Sequence, residues 1–159
     1  MQVPVTLLVP AVIVLAGLVL ALLFDAFERR SIALWLLLVS LLGAALTAVV
    51  LNLDASVVTS PVFTASGGPI VVGGVGYLLT AVAIAAGHRR FAERARGVPM
   101  AALMALGALF AAALAATLDL LVFVVALSGM AVVAYALVAG AGTRRAEESA
   151  VRYFIQGMV

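Results

Sequence analysis

Two charged residues near the end of the chain have the spacing that lets them act together on one helix. Glu148 and Arg152 are four residues apart in the segment AEESAVRYFIQG. On a helix they would share a face with the acid on the N-terminal side, which is the favourable order for an ion pair. An exposed pair of this kind contributes a few tenths of a kcal/mol, whereas at the membrane entry of a helix it would mark the mouth of a polar path. The spacing alone favours the exposed pair.

The other charged residues outside the arginine groups are few. Asp119 lies between two apolar runs, where a carboxylate would cap the free amides of the following helix and face its positive dipole end. Asp25 and Glu28 precede Arg29 and Arg30 and are expected to form a solvated cluster at a helix end. His88, the single histidine, opens an arginine-rich segment and is expected to be a neighbour of lipid headgroups and not a proton relay.

The amino-acid composition indicates the solvent that surrounds these residues. Of the 159 residues, 67% are hydrophobic and 10% are charged. A soluble domain is closer to half apolar and a quarter charged. The solvent of this chain is therefore the lipid bilayer. The absence of cysteine excludes disulfides and thiolate metal sites. The nine basic residues are all arginines grouped beside apolar runs, which indicates membrane topology and no nucleic acid partner.

Five apolar runs are long enough to cross a bilayer as helices, which takes roughly 20 residues each. They cover about 3–24, 31–51, 70–87, 100–118 and 120–140, and a sixth begins at about 146. Helices are favoured because the runs lack the alternation of barrel strands. The expected fold is all-α: one membrane-embedded domain over 1–159, a polytopic transmembrane bundle of five spanning helices plus the truncated start of a sixth.

The arginines divide the connections into two kinds. All nine arginines lie in three connections: the pair Arg29 and Arg30, the segment GHRRFAERARG and the segment GTRRAEESAVR. The connections at 52–69 and 117–119 contain none. By the positive-inside rule, the arginine-rich connections are expected in the cytoplasm and the N-terminus outside. The segment 52–69 is rich in Ser, Thr, Gly and Pro and is expected to form an external loop with turns.

Small residues in the third and fourth runs predict close helix contacts. The segment GGPIVVGGVG lacks the strand–helix context of a nucleotide fingerprint, so its glycines are expected to let another helix approach. Gly107, Ala111 and Ala115 are spaced by four and would line one face of the fourth helix.

The segment from Asp119 to Gly157 resembles the antiporter-like membrane subunits of respiratory NADH–quinone oxidoreductase (complex I), most closely subunit N. The matching landmarks are the opening Asp-Leu-Leu, the pair Tyr135 and Leu137, and the final block with its acid, Tyr-Phe pair and glycine, in DLLVFVVALSGMAVVAYALVAG and EESAVRYFIQG. The specific likeness is confined to this segment, whereas over 1–118 it rests on helix count and orientation.

The resemblance assigns a role to a mid-helix position and to the charged pair. The family places its proton-handling glutamate where this chain has Ser128, and it places a lysine where this chain has Arg152. Serine cannot ionise and arginine stays protonated, while Glu148 is retained. The resemblance also implies about fourteen helices, of which this chain has five and the start of a sixth. The proton-path candidates are therefore Glu148, Arg152, Ser128 and Asp119, with impaired proton transfer expected.

The resemblance implies a translocase subunit with no redox chemistry of its own. Such a subunit would bind no cofactor, while NADH and quinone are used elsewhere in the complex. Its partners would be other membrane subunits of complex I, in a bacterial-type inner (plasma) membrane. The scarcity of charge within the spans also favours a second hypothesis, a small helical membrane scaffold that transports nothing. A small-molecule transporter is a weaker third, because interrupted helices and midplane polar groups are missing from the sequence.

Overall fold

The computed structural model describes residues 5–53, 58–59, 64–65, 67–140, 148–149, 151–152 and 155. Its elements are α1 (Val5–Ala26), α2 (Arg30–Leu53), β1 (Val58–Thr59), β2 (Thr64–Ala65), α3 (Gly67–Glu93), α4 (Gly97–Ala116) and α5 (Leu120–Ala139). Each of these five helices is long and apolar enough to cross a membrane. The prediction of an all-α bundle with five spans is confirmed, and this is the architecture of an integral membrane protein.

The helix bounds differ from the predicted ones most in α3, which was expected at about 70–87. It begins at Gly67, ahead of the apolar run, and continues through His88 and Arg90 to Glu93. The predicted connection GHRRFAERARG is thus largely the last two turns of a helix. The reason is that charged side chains at a membrane surface end the apolar pattern without interrupting the backbone hydrogen bonds.

The core lies among the first four helices, with α2 at its centre. The buried side chains of α2 recur every three or four residues, so they lie on one face that is covered by α1 and α3. Among the described residues, the largest fully buried side chains are Leu34, Leu37, Leu41, Ile84, Val14 and Val98. α4 closes the group against α3 and α1, and α5 packs on α4.

Small residues set the closest helix contacts. Gly17 of α1 lies so close to Ser40 of α2 that a side chain added at Gly17 would collide with the Ser40 Cβ. At the start of α3, a Cβ on Gly73 would lie 3.3 Å from Ala112 of α4, and one on Gly74 would lie 3.2 Å from Ala48 of α2. The expectation that glycines of GGPIVVGGVG permit close helix approach is confirmed at Gly73 and Gly74, whereas a Cβ on Gly68 or Gly76 would meet nothing within 4 Å.

A three-residue connection joins α1 to α2 through a strained residue. Glu28 has φ of 60 degrees, in the left-handed region that usually selects glycine. The Arg29 N–H donates to the Phe24 carbonyl at 3.0 Å and the Glu28 N–H donates to the Asp25 carbonyl at 2.9 Å. This pair of bonds is the Schellman pattern of a helix C-terminus, and it reverses the chain directly into α2.

The connection between α2 and α3 was predicted as an external loop with turns. Within its described part, β1 and β2 pair antiparallel, with Val58 opposite Ala65 and Thr59 opposite Thr64. The rest of the predicted loop, apart from its helical ends, lies outside the described residues.

Candidate functional site

Asp119 caps α5. Its Oδ1 accepts hydrogen bonds from the Leu121 N–H at 2.7 Å and the Val122 N–H at 3.2 Å, and its backbone has the extended conformation of a cap residue. The Thr117 Oγ1 accepts from the Asp119 N–H at 3.2 Å and holds the capping residue in place. The predicted capping role is confirmed, and it occupies the carboxylate with backbone donors.

Ser128 lies in the middle of α5 on an exposed surface. Its hydroxyl donates to the Val124 carbonyl one turn back at 2.8 Å, the bond expected of a serine within a helix. Because α5 packs on α4, the exposed Ser128 faces away from the four-helix core. Neither of the two cavities described below is lined by Ser128.

Three serine and threonine hydroxyls of the other spans bond as Ser128 does. The bonds are Ser40 to the Leu37 carbonyl at 2.9 Å, Thr47 to the Gly43 carbonyl at 2.7 Å and Thr80 to the Gly76 carbonyl at 2.9 Å. Each hydroxyl therefore bonds within its own helix and none of these three bridges two helices. In the described part of the chain, the ionisable Asp, Glu, His and Arg side chains lie at helix ends and in connections.

The contact between α4 and α5 uses glycines from both helices. A Cβ on Gly107 would lie 3.3 Å from Cγ1 of Val133, one of the two buried residues of α5. A Cβ on Gly129 would lie 2.5 Å from Cζ of Phe110. The small-residue face predicted on α4 does receive a helix at Gly107, and that helix is α5.

Glu148 and Arg152 are both helical and both exposed. Four residues apart on a helix, they lie on the same face, as the spacing predicted. The predicted start of this helix near residue 145 lies outside the described residues. The structure therefore supports the helical spacing of the pair and leaves its role in proton transfer a prediction.

The arginines of the first two arginine-rich segments gather at one end of the bundle. The α1–α2 turn and the last turns of α3 meet there in a polar concavity, which residues 28–32 and Ala92 line. The six arginines of these segments are Arg29, Arg30, Arg89, Arg90, Arg94 and Arg96. The third arginine-rich segment is described only at Arg152, and Arg144 and Arg145 lie outside the described residues.

His88 packs against an aromatic residue of a neighbouring helix, and its expected place beside lipid headgroups stays a prediction. Its ring lies against Trp35 of α2, with ring centroids 5.6 Å apart and ring planes at 49°. The His88 Nε2 is buried and has no hydrogen-bond partner in the described residues. Trp35 itself is 59% exposed, as expected of a tryptophan at a membrane interface. The one feature of the sequence that could have pointed to the Trp35–His88 contact is the position of Trp35 near the arginine end of an apolar run.

A second cavity, of about 280 Å³, lies at the opposite end of the bundle. Small and apolar side chains from α1 to α4 line it, with Tyr77 among its aromatic residues. Among the described residues, its lining contains no Asp, Glu, His or Arg. More broadly, no group of three or more His, Cys, Asp or Glu residues that would hold a metal occurs in the described residues.

Comparison with known proteins gives no family for the chain: no family model matches it, and no curated protein matches it.

Proposed function

We propose that this chain is a membrane subunit of the NADH–quinone oxidoreductase type and that its five described helices pack against other subunits without conducting protons themselves. The resemblance of 119–157 to the antiporter-like subunits supports the assembly. NADH and quinone would be used by other subunits, and this chain would contribute no redox chemistry.

The observation that carries the non-conducting role is the state of Ser128. This is the position at which the resembling family has its proton-handling acid, and here a neutral hydroxyl is bonded to the Val124 carbonyl on an exposed face. A proton path through lipid needs ionisable groups or a water-lined cavity within the span. Ser40, Thr47 and Thr80 in the other described spans are likewise neutral hydroxyls, each bonded to a carbonyl of its own helix.

The orientation of the subunit is part of the proposal. At the α1–α2 and α3–α4 connections and the helix ends beside them, six arginines stand against three acids, Asp25, Glu28 and Glu93, whereas the described part of the opposite end has Asp119. The positive-inside rule counts arginines, so it places the arginine end in the cytoplasm and the start of α1 outside, in a bacterial-type inner membrane. Glu148 and Arg152 would then lie at the cytoplasmic entry of the next helix.

A second candidate function is a small scaffold subunit of some other membrane assembly. The hydroxyls of Ser40, Thr47, Thr80 and Ser128, each bonded within its own helix, favour this candidate as well. The large exposed apolar surface of α5 also favours it. The two candidates differ in the partner that the chain would join and agree that the chain does not transport protons alone.

Purification of the tagged chain from its native membranes in a mild detergent separates the two candidates. Co-migration with NADH-oxidising, quinone-reducing activity on a native gel is expected for the proposed assembly. Migration with proteins that lack this activity would support the scaffold of another assembly and reject the first proposal.

Proton uptake tests the non-conducting role separately. Vesicles containing the chain alone are expected to take up protons no faster than empty vesicles of the same lipids. Robust uptake by the unmodified chain would contradict the interpretation of Ser128. Within an assembly whose partners supply a lysine to pair with the acid, Ser128→Glu should restore uptake while Ser128→Ala should not.

A further inference from the structure

The concavity at the arginine end combines a polar wall with an apolar one. Glu28, Arg29, Arg30 and Ser31 contribute polar groups from the α1–α2 turn and the start of α2, two cations against one carboxylate. Ile32 and Ala92 contribute apolar surface from α2 and α3. A site of this kind suits a molecule with a polar headgroup joined to an apolar body and is a poor match for a free ion.

The charge at this end is in excess and largely unpaired. At the α1–α2 and α3–α4 connections and the helix ends beside them, six arginines against Asp25, Glu28 and Glu93 leave an excess of three positive charges. The ion pair found in the described residues joins Arg30 Nε to Asp25 Oδ1 at 3.9 Å, which is at the limit of contact. Arg29 forms no ion pair within that part of the chain, and its side chain is exposed.

The position of the concavity relative to the membrane is marked by Trp35. It follows Ser31 by four residues on α2, so the two share a helix face. Exposed tryptophans of membrane proteins concentrate at the level of the headgroups. The concavity thus lies just on the water side of the interface, with exposed apolar side chains of α2 below it.

We propose that this concavity binds the phosphate headgroup of an anionic phospholipid, held by Arg29 and Arg30, with its glycerol and upper acyl carbons against Ile32 and Ala92. The planar guanidinium donates paired hydrogen bonds to phosphate oxygens. Basic pockets between membrane helices select anionic headgroups. A zwitterionic lipid is selected less well because its own cation offsets the phosphate charge.

Native mass spectrometry of the purified full chain tests the proposal with phosphatidylglycerol, and with phosphatidylcholine of the same acyl chains as the reference lipid. The preference for phosphatidylglycerol is expected to fall roughly tenfold in the double variant Arg29→Gln/Arg30→Gln. The matched control is Arg94→Gln/Arg96→Gln, which removes the same charge from exposed residues of the same end outside the concavity. Its expected loss is less than about twofold.

An equal loss in both double variants would show diffuse attraction and overturn the site. Displacement of phosphatidylglycerol by millimolar inorganic phosphate would overturn the choice of a lipid over a free anion. Crosslinking of the unmodified chain with a photoactivatable phosphatidylglycerol gives a test that does not depend on folding of a variant. Adducts concentrated at 28–35 and at Ala92 would support the proposal, whereas adducts spread evenly over the apolar surface would overturn it.

Discussion

Asp119 is the residue whose structural role is best defined by its hydrogen bonds. Its carboxylate caps the Leu121 and Val122 amides. Replacement by alanine should expose both amides and destabilise the start of α5 by about 1 kcal/mol. Hydrogen exchange of the chain in detergent micelles should show faster exchange at these two amides. Asp119→Asn is the control, because an amide oxygen still caps. Unchanged protection in Asp119→Ala would show that the cap contributes nothing to α5.

Ser128 gives a prediction about stability that is separate from proton transport. The residue lies on an exposed face in the middle of the span. A glutamate there would cost about 2.5–3.5 kcal/mol in insertion, whereas Ser128→Ala should be nearly neutral because the Val124 carbonyl keeps its helix bond. The fraction of α5 inserted by the translocon, measured with glycosylation sites on either side, should fall for the glutamate variant alone. Equal insertion of both variants would indicate a polar environment at this depth.

At the residue scale, hydrogen bonds within one helix are predictable from the sequence, whereas the contacts of a particular side chain with another helix are not. The Asp119 cap and the Ser128 bond depend on neighbours within four residues, so both could be predicted. The Trp35–His88 contact joins α2 to α3 and depends on how these helices rotate against each other. No pattern within either helix determines that rotation, so the sequence did not predict this contact.

At the element scale, the pair of α1 and α2 depends on one glycine. Gly17→Ala would place a methyl group against the Ser40 Cβ. The Cβ is bonded directly to the α2 backbone, so it cannot move aside unless the helix moves. Overpacking of this kind typically costs about 1–3 kcal/mol. Gly76→Ala is the matched control, because a Cβ there meets nothing within 4 Å. Thermal unfolding in one detergent should show a lower midpoint for Gly17→Ala and no loss for Gly76→Ala.

The five elements themselves were predictable because a bilayer imposes a length and an apolar composition on any helix that crosses it. The end of α3 was not predictable in this way, because its last turns contain the charged residues Arg89, Arg90 and Glu93. A hydropathy pattern ends where the side chains reach water, and a helix ends where its backbone bonds are capped. The Schellman turn at Glu28 was also not predicted, because its signature residue is usually glycine.

At the scale of the whole molecule, the two ends of the bundle should face opposite sides of the membrane. The chain has no cysteine, so single substitutions give clean labels. Ala95 and Leu118 are exposed, lie in the connections at opposite ends and carry no charge. A membrane-impermeant thiol reagent added outside intact cells should label Leu118→Cys and leave Ala95→Cys unlabelled until the membrane is opened. The reverse pattern would invert the proposed orientation, and labelling of both from one side would contradict the five-span arrangement.

The lengths of the connections bear on how the chain enters a membrane during synthesis. Three residues separate α1 from α2, α3 from α4 and α4 from α5, whereas α2 and α3 are separated by the stretch between Leu53 and Gly67. A three-residue link keeps two helices side by side from the moment the second emerges, so α1 and α2 should leave the translocon as one hairpin. The long stretch is then the natural place at which to divide the gene. Two polypeptides, 1–60 and 61–159, should recombine in the membrane when they are expressed together, whereas a division at 94–96 should leave α4 without its partner.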